Sequence, residues 1–139
     1  MDETIHVRLE RESDYRFRVE FPERPFTLTV DETVPLGSDA GPNPSRLLAA
    51  AIGHCLGSSL LFCLAKSRTD VGPLKANVTA TLARNDRGRW RVAKLDVQLE
   101  VDAKDADKLE RCKGLFEDFC IVTESVRAGI PVDVTIART

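Results

Sequence analysis

The four cysteines are the residues whose side chains could carry covalent chemistry in this 139-residue sequence: Cys55, Cys63, Cys112 and Cys120. A cysteine reacts as its thiolate with peroxides, disulfides or metal ions, so its surroundings must favour the charged form. Cys55 and Cys63 are eight residues apart, and so are Cys112 and Cys120. Because zinc sites usually pair ligands about two to five residues apart, this spacing predicts no metal site, and we expect no cofactor.

For Cys55 and Cys120 the sequence pattern alone does not decide between a buried, packed side chain and a reactive thiol. Cys55 lies about three turns inside a predicted helix, beyond the reach of that helix's dipole, so a cation would have to activate it. Arg16 and Arg18 project from one face of a predicted strand and are the candidate cations. Cys120 lies at a junction of two helical stretches, where a first helical turn offers free N–H groups.

Cys63 and Cys112 fall on apolar helical faces, and we expect them to pack as small hydrophobic side chains. The first ten residues are acidic and alternately polar, unlike the basic start and apolar run of a secretory signal. We therefore expect a cytoplasmic protein whose cysteines are reduced.

The strands that would position the cysteines are read from alternating apolar and polar residues. A first hairpin turns at residues 11–14 and is followed by a third strand, and a second hairpin turns at residues 85–88. The predicted strands are His6–Leu9, Tyr15–Val19, Phe26–Val30, Ala76–Ala83, Trp90–Val101 and Val132–Ile136. The predicted order is β-β-β-α-β-β-α-α-β, an α+β fold with a single domain over residues 1–139.

Three helices complete the prediction. Asn43 as N-cap and Pro44 at the first helical position begin a long helix that we expect to end near Arg68, before Gly72-Pro73. Asp102 is predicted to cap a second helix from about Ala103, whose apolar face would reach Phe119. A short third helix is predicted over Cys120–Arg127.

The long helix is apolar almost all round. Its glycines, serines and His54, with the strands on either side, favour a buried helix over a membrane span. Either a partner subunit or both sheet surfaces of the same chain could cover it, and the sequence leaves these alternatives open.

The charge balance excludes two classes of partner. The formal net charge is -2 with 30% charged and 42% hydrophobic residues, which is typical of a globular protein. Acids and bases alternate along the chain, so we expect no nucleic-acid partner and no membrane surface. No phosphate-binding glycine loop is present, and His6 and His54 make no serine–histidine–aspartate pattern.

Several segments together resemble the OsmC/Ohr family, named for osmotically inducible protein C and organic hydroperoxide resistance protein. These are Asp31–Gly37, Gly41–Ala51, His54–Leu56 and Phe119–Ser125. The resemblance implies an intertwined homodimer with two active sites at the subunit interface. It also implies that Cys55 attacks the peroxide and that Cys120 resolves the sulfenic acid to a disulfide, which a cellular dithiol recycles.

The family's activating arginine comes from an N-terminal strand, which points to Arg18, with Arg16 as the alternative. Members with strong organic-peroxide activity hold that arginine with a glutamate ten residues before the reactive cysteine, where this chain has Ser45. The resemblance therefore implies a thiol-dependent peroxidase, acting on organic hydroperoxides and less well on hydrogen peroxide, of a less characterised OsmC-like branch. The alternative is a non-catalytic OsmC-like dimer that binds a small apolar ligand or senses redox state.

Overall fold

The computed structural model describes residues 2–139 and confirms the predicted α+β class. Within these residues, two antiparallel sheets, three α-helices and one short 3₁₀ helix follow one another. The contacts group into two compact units, one up to Leu48 and one from Ala49 onward. The single domain over residues 1–139 stays a prediction.

The first sheet contains three antiparallel strands, β1 (Arg8–Ser13), β2 (Arg16–Glu20) and β3 (Thr27–Val30), in that order. The predicted hairpin is confirmed, but its turn is not at residues 11–14. β1 continues through a bulge between Arg11 and Ser13, and the chain reverses at Asp14, whose φ is 44°. Aspartate tolerates this left-handed conformation better than most residues, which allows the tighter turn.

Asp31 organises the loop that leads to the long helix. Its buried carboxylate accepts hydrogen bonds from the backbone N–H groups of Glu32 (2.8 Å), Ser38 (3.1 Å) and Ala40 (3.1 Å). Asn43 then caps the helix through a 3.0 Å hydrogen bond from the Arg46 N–H to its side-chain oxygen, as the sequence predicted.

The long helix α1 spans Pro44–Lys66 and is a little shorter than predicted, because Arg68 adopts a positive φ of 59°. α1 is long and apolar enough to cross a membrane. The core helix of a soluble protein can have the same length and composition. Its buried side is lined by Ile52, Gly53, Leu56, Gly57, Ser59, Leu60 and Leu64.

The second sheet is the long hairpin of β4 (Val71–Arg84) and β5 (Trp90–Ala103), which turns at the predicted residues. Gly72 and Pro73 lie beyond the end of α1, as the sequence predicted. They lie within β4, where a register shift between Val71 and Leu74 accommodates the proline. Gly53 and Gly57 of α1 let the helix approach this sheet, since a Cβ on Gly53 would lie 2.8 Å from Val78.

The second helix, α2 (Ala106–Lys113), is capped by Asp105 and not by Asp102. The Asp105 carboxylate accepts from the N–H groups of Asp107 (3.0 Å) and Lys108 (3.1 Å), whereas Asp102 still lies within β5. The predicted apolar face does not continue to Phe119, because a separate 3₁₀ helix covers Phe116–Phe119. The third helix, α3, spans Ile121–Ala128, close to the prediction.

The predicted last strand over Val132–Ile136 is wrong for the described chain. Residues 130–139 form neither helix nor strand, and Val132, Val134 and Ile136 are 79%, 77% and 95% exposed. A strand needs a neighbour for its backbone groups, and within residues 2–139 this segment has none.

Candidate active site

The two free cysteines, Cys55 and Cys120, face each other within the unit that begins at Ala49. α1 carries Cys55 in its middle, and Cys120 is the residue that precedes α3. Their side chains are close enough to interact as a hydrogen-bonded pair of thiols. Cys55 is half-buried, whereas Cys120 is fully buried.

The first turn of α3 provides donors to Cys55 that the sequence analysis missed. The backbone N–H groups of Val122 and Thr123 face the Cys55 sulfur and favour its thiolate. No side-chain cap hydrogen bond occupies this end of α3. A cation was expected to activate Cys55, because the dipole of α1 does not reach it. The N–H groups at the start of α3 also stabilise its thiolate.

The two thiols differ in the direction of their pKa shifts. Burial, followed by the hydrogen bond with Cys120, raises the pKa of the Cys55 thiol. Burial also opposes ionisation of Cys120, but hydrogen bonds from Cys55, Thr123 and Ser59 outweigh it and lower the pKa of that thiol. Cys120 is therefore the first of the pair to ionise.

Hydroxyl groups surround the Cys120 sulfur. The Cys120 Sγ donates a 3.0 Å hydrogen bond to the buried hydroxyl of Thr123, three residues later in the chain. Ser59 lies one helical turn after Cys55, and its hydroxyl contributes from α1.

An open apolar groove of about 460 Å³ lies beside Cys55. Phe62 and Phe119, both more than half exposed, form part of its wall. The groove is lined by Cys55, Ser58, Ser59, Phe62, Phe119 and Ile121. It therefore offers a route to the Cys55 sulfur that suits an apolar molecule.

The other two cysteines form a disulfide, which corrects two expectations. Cys63 of α1 and Cys112 of α2 are bonded with their Cα atoms 5.9 Å apart, so not all four cysteines are reduced. Cys112 is fully buried against Leu60 and Leu64, so it does pack in the core as predicted, but as half of a cross-link.

The sequence held a signal for this pairing in its two eight-residue spacings. If Cys55 meets Cys120 and the two segments run in opposite directions, Cys63 falls opposite Cys112. The same spacing argues against a metal site, whose ligands are usually closer together in the sequence. Among residues 2–139, no group of three or more histidine, cysteine, aspartate or glutamate side chains gathers as metal ligands.

Arg18 lies in β2 and is held by acidic neighbours of its own sheet. Its guanidinium pairs with Glu20 at 2.9 Å, Glu10 at 3.3 Å and Glu12 at 3.7 Å. A hydrogen bond and the charge of Glu20 raise the pKa of Arg18, which keeps it a cation. Arg16 is exposed and bonds to the Ser13 hydroxyl at 3.0 Å. The role of either arginine in activating Cys55 stays a prediction.

Solved structures with this fold carry OsmC and Ohr names. An OsmC-like protein of unknown function from Vibrio cholerae is 19% identical, with a TM-score of 0.78 over 89% of this chain and 94% of that chain. The organic hydroperoxide resistance protein OhrB of Bacillus subtilis is 21% identical, with a TM-score of 0.59 over 90% and 91%. A Legionella pneumophila organic hydroperoxide resistance protein OsmC is 17% identical, with a TM-score of 0.64 over 90% of each chain.

No curated protein matches the chain in sequence. The family model described as OsmC-like protein matches residues 37–135, which is well over half of the chain and includes all four cysteines. This chain therefore belongs to the OsmC-like protein family.

Proposed function

We propose that this protein is a thiol-dependent peroxidase that reduces organic hydroperoxides, and hydrogen peroxide less well, through Cys55 and Cys120. One observation carries the proposal: in a chain of the OsmC-like family, the two free thiols face each other beside an apolar groove. The names of the Bacillus subtilis and Legionella pneumophila structures point in the same direction.

The first step belongs to Cys55, because it lines the groove and Cys120 is fully buried. The Cys55 thiolate attacks the O–O bond of the peroxide, so that the alcohol leaves and Cys55 becomes a sulfenic acid. The N–H groups of Val122 and Thr123 stabilise the thiolate, but burial still raises the pKa of the Cys55 thiol. The proposal therefore needs a further activating group, and we assign that role to Arg18, with Arg16 as the alternative.

Arg18 does not need the glutamate that Ser45 replaces in order to be oriented. Its bonds to Glu10, Glu12 and Glu20 already restrict the guanidinium. These ion pairs are half-exposed, so each one contributes modestly and their number matters more than any single pair.

The second step forms the Cys55–Cys120 disulfide, and a cellular dithiol then reduces it in two exchange steps. This cycle needs a reducing compartment, which fits the expected cytoplasmic location and a part in the response to oxidative stress. The Cys63–Cys112 disulfide, whose Cys112 is fully buried, must then resist the same dithiol.

A homodimer is part of the proposal, because large apolar side chains are exposed where a second copy could cover them. Leu61 and Phe62 of α1 are 42% and 55% exposed, and the residues 130–139 expose an alternating apolar row. Apolar surface of this extent is typical of an interface.

The second candidate function is a non-catalytic dimer that binds a small apolar ligand or senses redox state. A cavity of about 390 Å³ favours it, since apolar side chains of α1 and α3 such as Ile52, Leu56 and Val126 line it, next to charged ones such as Lys94 and Arg127. The raised pKa of the Cys55 thiol also fits a less reactive cysteine.

The test treats the protein, with Cys55 and Cys120 reduced, with one equivalent of cumene hydroperoxide. Peroxide loss and the state of each cysteine are followed by mass spectrometry. We expect a Cys55–Cys120 disulfide, a trapped Cys55 sulfenic acid in Cys120→Ser, and no peroxide loss in Cys55→Ser. A free Cys55 thiol with peroxide remaining would reject the peroxidase. Native mass spectrometry of the purified protein tests the second candidate, which requires a retained ligand.

A further inference from the structure

We propose that Thr123 is a positioning residue that holds Cys120 as a buried thiolate, ready to resolve the oxidised Cys55, with Ser59 as a second donor. The proposal rests on the proposed peroxidase cycle and adds to it the residue that prepares its second step.

Thr123 is placed to bond the Cys120 sulfur in either charge state. Its Oγ1 lies 3.0 Å from the Cys120 Sγ, and both side chains are buried, with exposed fractions of 6% and 0%. The thiol donates to this oxygen, whereas a thiolate must accept, and the threonine hydroxyl can reverse its role because it is both donor and acceptor. A buried, charge-assisted hydrogen bond is stronger than a neutral one.

Uncharged hydrogen-bonding groups surround Cys120. The titratable group that faces it from α1 is Cys55, and the hydroxyl of Ser59 comes from the same helix. The acidic residues Glu117 and Glu124 of the neighbouring helical segments hydrogen-bond Arg127 instead. The lowered pKa of the Cys120 thiol agrees with this arrangement, although burial opposes it.

The resolving step uses this thiolate directly. The Cys120 thiolate supplies the electron pair that forms the S–S bond to the Cys55 sulfenic acid, and the S–O bond of Cys55 breaks. The hydroxide that leaves takes a proton from solvent and becomes water. Cys120 loses its negative charge in this step, so the Thr123 hydroxyl both orients the sulfur and sets how much thiolate is present.

The first test titrates Cys120 without any peroxide. In a Cys55→Ser background with the Cys63–Cys112 disulfide intact, Cys120 is the one free thiol, and absorbance at 240 nm reports its thiolate. Adding Thr123→Val should lower the ratio of thiolate to thiol about tenfold at a given pH, as expected for the loss of one charge-assisted hydrogen bond. Thr123→Ser should restore the parent curve, and Ser59→Ala should shift it in the same direction as Thr123→Val.

The matched control is Thr69→Val. Thr69 is also buried, and its hydroxyl has no hydrogen-bond partner among the described residues, so this change should not move the curve. If the Cys120 titration curve of Thr123→Val coincides with that of Thr69→Val, the proposal is overturned. Should Thr123→Val fail to fold, Ser59→Ala and Thr123→Ala carry the same test, and unshifted curves there overturn it as well.

The second test separates resolution from peroxide attack in the chain with both cysteines. After one equivalent of cumene hydroperoxide, Thr123→Val should close the disulfide about tenfold more slowly than the parent once Cys55 is oxidised, so that dimedone traps more Cys55 sulfenic acid. Equal closing rates would overturn the proposal. If no variant consumes peroxide, the peroxidase itself fails, while the titration still decides whether Thr123 holds a thiolate.

Discussion

Cys55 and Cys120 share one site, but their surroundings suit them to different tasks. Cys55 reaches the groove and stays protonated more readily, because burial and the nearby Cys120 raise the pKa of its thiol. Cys120 is sealed from the groove and ionises first. Access to the groove therefore favours Cys55 as the residue that attacks the peroxide. Ionisation favours Cys120 as the residue that resolves the Cys55 sulfenic acid.

The first prediction concerns the cation that activates Cys55. If Arg18 acts on Cys55, Arg18→Gln should slow peroxide consumption at neutral pH by about tenfold, because losing a nearby cation raises a thiol pKa by about one unit. The loss should shrink at alkaline pH, where the thiolate forms without help. Second-order rate constants for cumene hydroperoxide between pH 6 and 10 measure both effects.

Two arginines of the same sheet serve as comparisons for this prediction. Arg16→Gln tests the alternative residue of β2. The matched control is Arg8→Gln, because Arg8 of β1 also pairs with Glu20, at 3.7 Å. A loss confined to Arg16→Gln would move the role to that residue. Rates within twofold of the parent for all three variants would show that activation does not come from this sheet.

At the scale of elements, the Cys63–Cys112 disulfide joins α1 to α2 inside the core of the second unit. It closes a sequence separation of 49 residues, and the chain-entropy account of cross-links gives about 4 kcal/mol for a loop of this length. We predict that Cys63→Ala with Cys112→Ala lowers the melting temperature by roughly 10 °C. Differential scanning calorimetry of non-reduced protein measures the change.

The Cys55→Ala, Cys120→Ala pair is the matched control for the cross-link, because it also replaces two facing cysteines but removes no disulfide. It should shift the melting temperature by only a few degrees. Equal shifts for the two double variants would contradict a stabilising cross-link.

A third prediction concerns the loop ahead of α1. The N–H groups of Ala40, Ser38 and Glu32 hold the pKa of the Asp31 carboxyl below its ordinary value, although burial opposes them. A carboxyl with a lowered pKa stabilises the fold above its unfolded pKa of about 4, and this contribution is lost as the pH falls through the folded value. Asp31→Asn should therefore lower the melting temperature at pH 7.

The gap in melting temperature between Asp31→Asn and the parent should narrow as the pH falls below about 4, because the unfolded carboxyl is protonated there and the folded carboxyl follows at its lower pKa. Thermal melts at intervals from pH 3 to 7 follow the gap. The control is Asp133→Asn, in the exposed segment 130–139, whose melting temperature should stay close to that of the parent at every pH. A constant gap across this range would mean that Asp31 acts through shape and not through charge.

Local signals made several elements predictable from the sequence. The Asn43-Pro44 pair begins α1 because capping depends on adjacent residues, and the second hairpin follows from its alternating residues. The cap of α2 was misplaced because Asp102 and Asp105 offer the same side chain, and only the pairing of β5 decides between them.

Pairings between distant segments were the part that the sequence left open. The Cys63–Cys112 disulfide and the Val122 and Thr123 donors to Cys55 depend on α2 and α3 packing near α1. Thr123 itself was within reach of a local argument, since it lies three residues after Cys120 in a helix. For Cys120 only the free N–H groups of this turn were predicted, and the hydroxyl was missed.

At the scale of the whole molecule, residues 130–139 are the segment that most suggests a second copy of the chain, because they form no helix or strand and expose apolar side chains. The segment has the alternation of a strand, and its apolar members Val132, Val134 and Ile136 are 79%, 77% and 95% exposed. Neighbouring residues of a strand face opposite sides, so Asp133 and Thr135 would share the other face. An apolar row of this kind is stabilised when a partner covers it.

The last prediction is therefore that the protein is a dimer in solution and that one face of this segment contributes to it. Val134→Asp should weaken the dimer at least tenfold, because a carboxylate would have to be buried against apolar surface, whereas Thr135→Asp should change the dissociation constant by less than threefold. Sedimentation equilibrium over a range of concentrations measures both variants and the parent. A monomeric parent would contradict the dimer, and equal weakening by the two variants would contradict the alternation, since only a one-sided interface distinguishes neighbouring residues of an extended chain.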